Sequence, residues 1–277
     1  MTQARQWRLL PFSIHDGITN MAIDEAILEA HLKGLVPPTL RLYGFNPAAI
    51  TIGYNQKLPN YVENRTGNRG IDIARRPTGG RAVLHLNDLT YSFVGTSSNH
   101  GQSEVFADAF LQNSILGAYK QICHGLELAL KYLGLDVESG ELSVPYKHLH
   151  DCFQATTGSD LHYKGKKLIG SAQLRRKWAV LQHGSLLLNQ PQSVMPELLE
   201  ESLSLTDNLE RHANLFDILG KELDMMTLQQ AFQKGFEVAF EAKFSEGGFI
   251  PEEIFSIGQL REKQLTANAS PLSVLRQ

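Results

Sequence analysis

Cysteine is scarce in this chain of 277 residues, which has two, Cys123 and Cys152. Two thiols exclude a disulfide framework, and they have no metal-ligand spacing, so at least one is left for packing or chemistry. An excess of either charge is also missing. Lys and Arg number 26 against 29 Asp and Glu, so no global field draws in nucleic acid or an anionic membrane. No run of about 18 consecutive apolar residues occurs, and the opening MTQARQWRLLPF lacks the apolar stretch of a signal peptide. A soluble, cytoplasmic protein with neither nucleic acid nor membrane as partner is expected. There are no repeats and no low-complexity tracts. What is present is a 42% hydrophobic composition, enough for a substantial core in one large domain.

Periodicity divides the chain. Trp7 to Phe12 reads as a strand. Met21, Ile23, Ala26, Ile27 and Ala30 then form an apolar stripe at helical spacing, with Asn20 as N-cap and Gly34 as stop. TLRLYGF and AAITIGY are β-rich runs on either side of an Asn46-Pro47 turn, and Tyr54, Asn55 and Gln56 follow the second run, a common place for ligand contacts. IDIARR and RAVLH flank Thr78-Gly79-Gly80. That turn reads either as a tight hairpin or as backbone opened for a ligand, and Arg75, Arg76 and Arg81 add anion-binding capacity. One long helix is predicted between Ser103 and Leu133, with Cys123 in its apolar stripe as a small buried hydrophobe. The segment from Asp160 to Leu188 has the alternation of a β-meander, and LFDILGKEL and TLQQAFQKGFEVAFEAKF read as amphipathic helices. We expect residues 1–245 to form the main domain and 246–277, rich in Gly, Pro and charge, a loosely attached tail.

Two residues carry candidate chemistry. Cys152 stands beside Asp151, Phe153, His148 and His150 in an irregular stretch. Nearby cations or a polar setting favour the thiolate of such a cysteine, although from these residues alone an incidental thiol among surface histidines is the commoner case. Lys167 lies between Gly165 and Gly170, and alternation puts it with Ile169 on the face opposite Lys166 and Leu168. Pointed into a pocket, it can hydrogen-bond an acyl carbonyl or exchange a proton with a thiol; otherwise it is a solvated lysine in a turn.

Several motifs occur in a fixed order: NMAIDEA, RRPTGGRAVLH with LTYSF, Cys152-Phe153, GKKLIGSAQ and LQHGSLLL. In this order they resemble the biotin/lipoate-protein ligase family, most of all its octanoyltransferase branch. The resemblance implies an α+β fold, a mixed and largely antiparallel sheet flanked by helices. It also implies transfer of octanoyl from acyl carrier protein, through a thioester on Cys152, to a lysine of a lipoyl domain such as the glycine-cleavage H protein, with no cofactor.

By the same resemblance Lys167 anchors the acyl carbonyl. Arg76, Gly79, Gly80 and His85 match one wall of the acyl pocket, and Gly170, Ser171 and Ala172 the opposite wall. Lys167→Ala is then expected to lose both half-reactions with folding retained. The approach His148-Leu149-His150-Asp151 departs from the family pattern. There Asp151 pushes the thiol pKa up, and a charged histidine pulls it down. Residues 154–159 also differ, which leaves acyl-chain specificity open.

Three alternatives stay open: an ATP-dependent lipoate ligase, an amidotransferase between lipoyl domains, and a non-catalytic binder of an acylated carrier. Arg81, where ligases carry a third small residue, and the presence of Cys152 favour the transferase.

Overall fold

The computed structural model describes residues 5–97, 110–139, 160–190, 194–199 and 212–269. Eleven strands are found among them: β1 (Arg5–His15), β2 (Thr39–Phe45), β3 (Ala49–Ile52), β4 (Asp72–Arg75), β5 (Val83–His85), β6 (Asp88–Thr96), β7 (Glu138–Ser139), β8 (Leu161–Tyr163), β9 (Lys166–Arg176), β10 (Ala179–Leu187) and β11 (Ala242–Glu246). The helices are α1 (Gly17–Leu32), α2 (Asn60–Asn68), α3 (Ile115–Tyr132), α4 (Val194–Leu199), α5 (Leu215–Leu219), α6 (Met225–Phe240) and α7 (Pro251–Ala269).

The strands make two sheets. The larger runs β11-β1-β2-β6-β10-β9-β8-β7, and the smaller β4-β3-β5. In the large sheet β11, β1 and β2 are parallel and every later pair is antiparallel, which is the mixed, largely antiparallel arrangement expected. Alternation along the strands supplies two apolar faces. Trp7, Leu42, Tyr91, Phe93 and Val180 meet α3 and α6 on one side, while Leu10, Val94 and Leu181 meet Ile23, Ile27 and Leu28 of α1 on the other. The small sheet has its own core of Ile50, Ile52 and Leu84 with Val62 and Leu198.

Four sequence expectations change. First, α1 starts at Gly17 because Asp16 caps it, accepting from the Thr19 amide at 2.7 Å. Asn20 is buried inside the helix, where its amide reaches the Gly44 carbonyl at 2.9 Å and ties α1 to β2. Second, of the helix predicted between Ser103 and Leu133, residues 103–109 lie outside the described residues, 110–114 are not helical, and α3 starts at Ile115, capped by Ser114. Leu111 pairs back to Thr96, and Arg175 takes the carbonyls of Gln112 and Asn113 and shares that of Ser114 with the Ala118 amide. Third, Thr78-Gly79-Gly80 does not close a hairpin. The strands on either side of it, β4 and β5, both pair with β3, one parallel and one antiparallel.

The fourth change concerns the C-terminal segment. Within the expected tail α7 docks on α1, while β11, at the end of the expected main domain, adds an edge to the main sheet. Arg8 holds Glu253 bidentately at 2.9 and 2.6 Å, and the glutamate is fully buried, so the charge pair itself anchors the helix. Gln264 adds a two-point contact to the Arg75 backbone, accepting from its amide and donating to its carbonyl.

His31 gives the fold a pH dependence. Its ring is fully buried in α1, with Nδ1 2.9 Å from the Val36 carbonyl and Nε2 3.1 Å from Thr96 Oγ1. Burial holds its pKa down at about 4, against 6.5 for the free side chain. The unfolded chain therefore takes up a proton near pH 6.5 that the folded chain refuses until about pH 4, so stability is full above the upper value and declines as pH falls. Denaturant titrations across that window should show a loss of about 3 kcal/mol from this residue. His31→Gln should flatten the dependence, and an unchanged slope in that variant would exclude His31 as its source.

Candidate active site

The site lies where the small sheet meets β9 and β10. Arg76 is buried at the end of β4. One guanidinium nitrogen donates to the Thr51 carbonyl at 2.7 Å, and the other to the Gly79 and Arg81 carbonyls at 3.1 and 2.7 Å. The Thr78–Arg81 turn is thus wrapped around one cation. Gly53 closes it from outside, since a Cβ there would stand 2.1 Å from the Gly80 carbonyl oxygen. Gly80 itself has φ 98°, a conformation suited to glycine.

Two acid–histidine–threonine chains support this turn. In the first, Asp24 Oδ2 meets His183 Nδ1 at 2.9 Å and His183 Nε2 meets Thr78 Oγ1 at 2.7 Å. In the second, Asp88 Oδ2 meets His85 Nδ1 at 2.8 Å and His85 Nε2 meets Thr51 Oγ1, also at 2.8 Å. Phe45 stacks on the His85 ring at 4.0 Å. Burial is the largest influence on His183 and holds its pKa down, against the pull of Asp24. On Asp24 burial pushes upward, but His183, Arg41 and Tyr43 together outweigh it and the carboxyl ends below its ordinary value.

A narrow pocket of about 30 Å³ lies between these chains and β9. Of the predicted wall residues, Arg76, His85, Gly170, Ser171 and Ala172 line it, while Gly79 and Gly80 form the turn that Arg76 clasps. Met21, Tyr43 and Val83 supply apolar lining. The polar groups bond largely to one another, which leaves a mostly apolar surface facing the pocket despite its many polar residues.

Lys167 lies on β9 three residues before Gly170. It is 1% exposed, and its Nζ is 2.9 Å from Asp160 Oδ2. Simple alternation does not account for its burial. The pairing of β8 with β9 shifts register between Leu161↔Ile169 and His162↔Lys167, leaving Leu168 as an extra residue, so Lys167, Leu168 and Ile169 are all buried. Cys152, with His148 and His150, lies outside the described residues. Cys123 is buried in the main core with its thiol pKa pushed up by that burial, as befits a packing residue. Tyr54 is exposed, and the carbonyls of residues 53, 54 and 56 bond Arg75.

Asp24, Asp88, Asp160 and His183 belong to the candidate site or its supports, and sequence reasoning did not single them out. Asp24 and His183 lie in the NMAIDEA and LQHGSLLL motifs. For Asp160 the signal is an acid seven positions before a lysine across the Lys164-Gly165 turn, which puts the two on neighbouring strands. Among the described residues no three His, Cys, Asp or Glu side chains are placed to hold a metal ion, and no helix is long and apolar enough to cross a membrane.

Comparisons with known proteins agree with this geometry. Octanoyltransferase LipM of Kyrpidia tusciae is 36% identical over 272 residues, covering 94% of this chain and 96% of its own. The enzyme of that name from Clostridioides difficile is 34% identical, with coverage of 93% and 96%. A crystal structure of lipoate-protein ligase A bound with ATP matches with a TM-score of 0.75 at 26% identity, over 93% of this chain and 95% of that one. Residues 16–237, which hold both walls of the pocket and the Asp160–Lys167 pair, match the Lipoyl protein ligase A/B catalytic domain, and the chain belongs to that family.

Proposed function

We propose that this protein is a cytoplasmic octanoyltransferase that takes its acyl group from octanoyl acyl carrier protein and delivers it to a lysine of a lipoyl domain, such as the glycine-cleavage H protein. The observation that carries the reading is the convergence of the Arg76–His85 strip and the Gly170–Ala172 wall on one pocket, with a buried, ion-paired lysine on the same strand. Curated relatives named octanoyltransferase, which span nearly the whole chain, support the same reading.

The chemistry runs in two exchanges. The Cys152 thiolate attacks the carrier thioester, its Sγ bonds to the acyl carbon, and the carrier sulfur leaves and takes up a proton. The two thiols are of similar basicity, so this step is nearly isoenergetic. The acceptor amine then attacks the Cys152 thioester, a C–N bond replaces the C–S bond, and a proton passes from nitrogen to the departing sulfur. Amide formation from a thioester is downhill and drives the cycle without ATP or a metal. Lys167, on the strand that carries the Gly170–Ala172 wall, is the group we assign to steady the tetrahedral oxyanion of both steps.

The test is intact mass spectrometry of the protein after incubation with octanoyl acyl carrier protein, followed by addition of a lipoyl domain without ATP. An octanoyl adduct is expected, absent in Cys152→Ser and discharged onto the lipoyl domain. A strict ATP requirement with no adduct would instead indicate a ligase. An adduct obtained only from an octanoylated lipoyl domain would indicate an amidotransferase, and binding without any adduct a non-enzyme.

A further inference from the structure

We infer that Asp160 is the positioning residue for Lys167, fixing its ammonium near the start of β9, the strand that carries the Gly170–Ala172 wall; this rests on the reading of Lys167 as the group that meets the acyl oxyanion. The carboxylate and the ammonium are 2% and 1% exposed and 2.9 Å apart. A lysine ammonium placed there alone loses its hydration and gains nothing in return, so it is held either as a neutral amine or not inside at all. A carboxylate at contact distance offsets that loss and favours the charged ammonium.

The local architecture serves this contact. Asp160 directly precedes β8, Lys167 is the second residue of β9, and the register shift between the strands turns the lysine inward. The Lys167 carbonyl accepts the Ala213 amide at 3.0 Å, so the strand is pinned from the other side as well. His162 on β8 feels both charges. Burial lowers its pKa most, Asp160 raises it and Lys167 lowers it further, so it adds little positive charge to compete for the carboxylate. His212, buried next to Ala213, pairs with Lys167 through the backbone.

Asp160→Asn tests the assignment because it preserves shape and removes the charge. With octanoyl-pantetheine as donor, acylation of Cys152 should slow about 10²-fold, the scale on which an oxyanion-stabilising group is lost. In protein labelled with isotopic lysine, the Lys167 NMR signal should be that of an ammonium at neutral pH in the wild type and move toward that of a neutral amine in D160N. Asp160→Glu keeps the charge on a longer arm. It should retain the ammonium signal while slowing acylation, and it carries the test should D160N not fold. Wild-type acylation in D160N, or an ammonium signal unchanged by the loss of the carboxylate, would overturn the assignment. The lysine signal needs no acyl donor, so it judges Asp160 even where the transfer reading itself fails.

Discussion

Lys167→Ala is expected to abolish both half-reactions and, contrary to the reading from sequence, to weaken the fold. Nothing in the spacing around Gly165 and Gly170 shows that this lysine has a buried carboxylate for a partner. Asp160 is only 2% exposed, so removing the cation takes a counter-charge away from a buried carboxylate, and breaking a buried pair in this way costs about 3–5 kcal/mol. The measurements are a denaturant melt and the mass-detected acylation of Cys152. The double variant Lys167→Met/Asp160→Asn should regain most of the stability, because no uncompensated charge remains, and none of the activity. If the single variant melted like the wild type, the ion pair would carry no weight in the fold. If the double variant transferred octanoyl, Lys167 would have no part in the chemistry.

The walls of the pocket were legible through the family motifs, which run over contiguous residues. Gly79, Gly80 and Arg76 share one turn, and Gly170, Ser171 and Ala172 share one stretch of strand, so the resemblance raises both, where composition alone raises the Thr78-Gly79-Gly80 turn and its arginines. The struts behind the walls were not, since each joins distant segments. Asp24 meets His183 across 159 positions and Thr78 meets His183 across 105. Buried polar residues of that kind leave no periodic trace, and a helix that hides an aspartate and an asparagine looks from its pattern like an ordinary amphipathic one. The register shift that buries Lys167 is equally silent, because strand alternation assumes a regular pleat.

The same reasoning explains the misread ends. Asn20 resembles an N-cap in composition, but Asp16 takes that role and frees Asn20 to join α1 to β2. Gly and charge in the C-terminal segment suggest a loose tail, yet one of those charges, Glu253, is what fastens it. Charge counts do not distinguish a solvated residue from a buried partner.

Asp24→Ala should be the most damaging single substitution in the scaffold of the site. The carboxylate is fully buried and joins three elements. Oδ1 accepts from Arg41 Nη1 at 2.8 Å, and Oδ2 from Tyr43 at 2.8 Å and His183 at 2.9 Å. Arg41, 1% exposed and packed 3.8 Å from the centre of the Tyr43 ring, has Asp24 as its carboxylate partner. Truncating the aspartate leaves that guanidinium buried without a counter-charge, a loss of about 3–5 kcal/mol. It also releases Tyr43 and His183, both of which line the pocket. By contrast, Tyr43→Phe and His183→Gln each remove one hydrogen bond to the Asp24 carboxylate while the Arg41 ion pair stays in place, and should cost about 1.5–3 kcal/mol apiece. The order is the diagnostic result. A melt in which all three variants lost equal stability would show that the Arg41 charge is compensated elsewhere, whereas a much larger drop for Asp24→Ala, with transfer lost at temperatures where the other two still work, would identify the buried carboxylate as the hub that holds α1, β2 and β10 against the pocket.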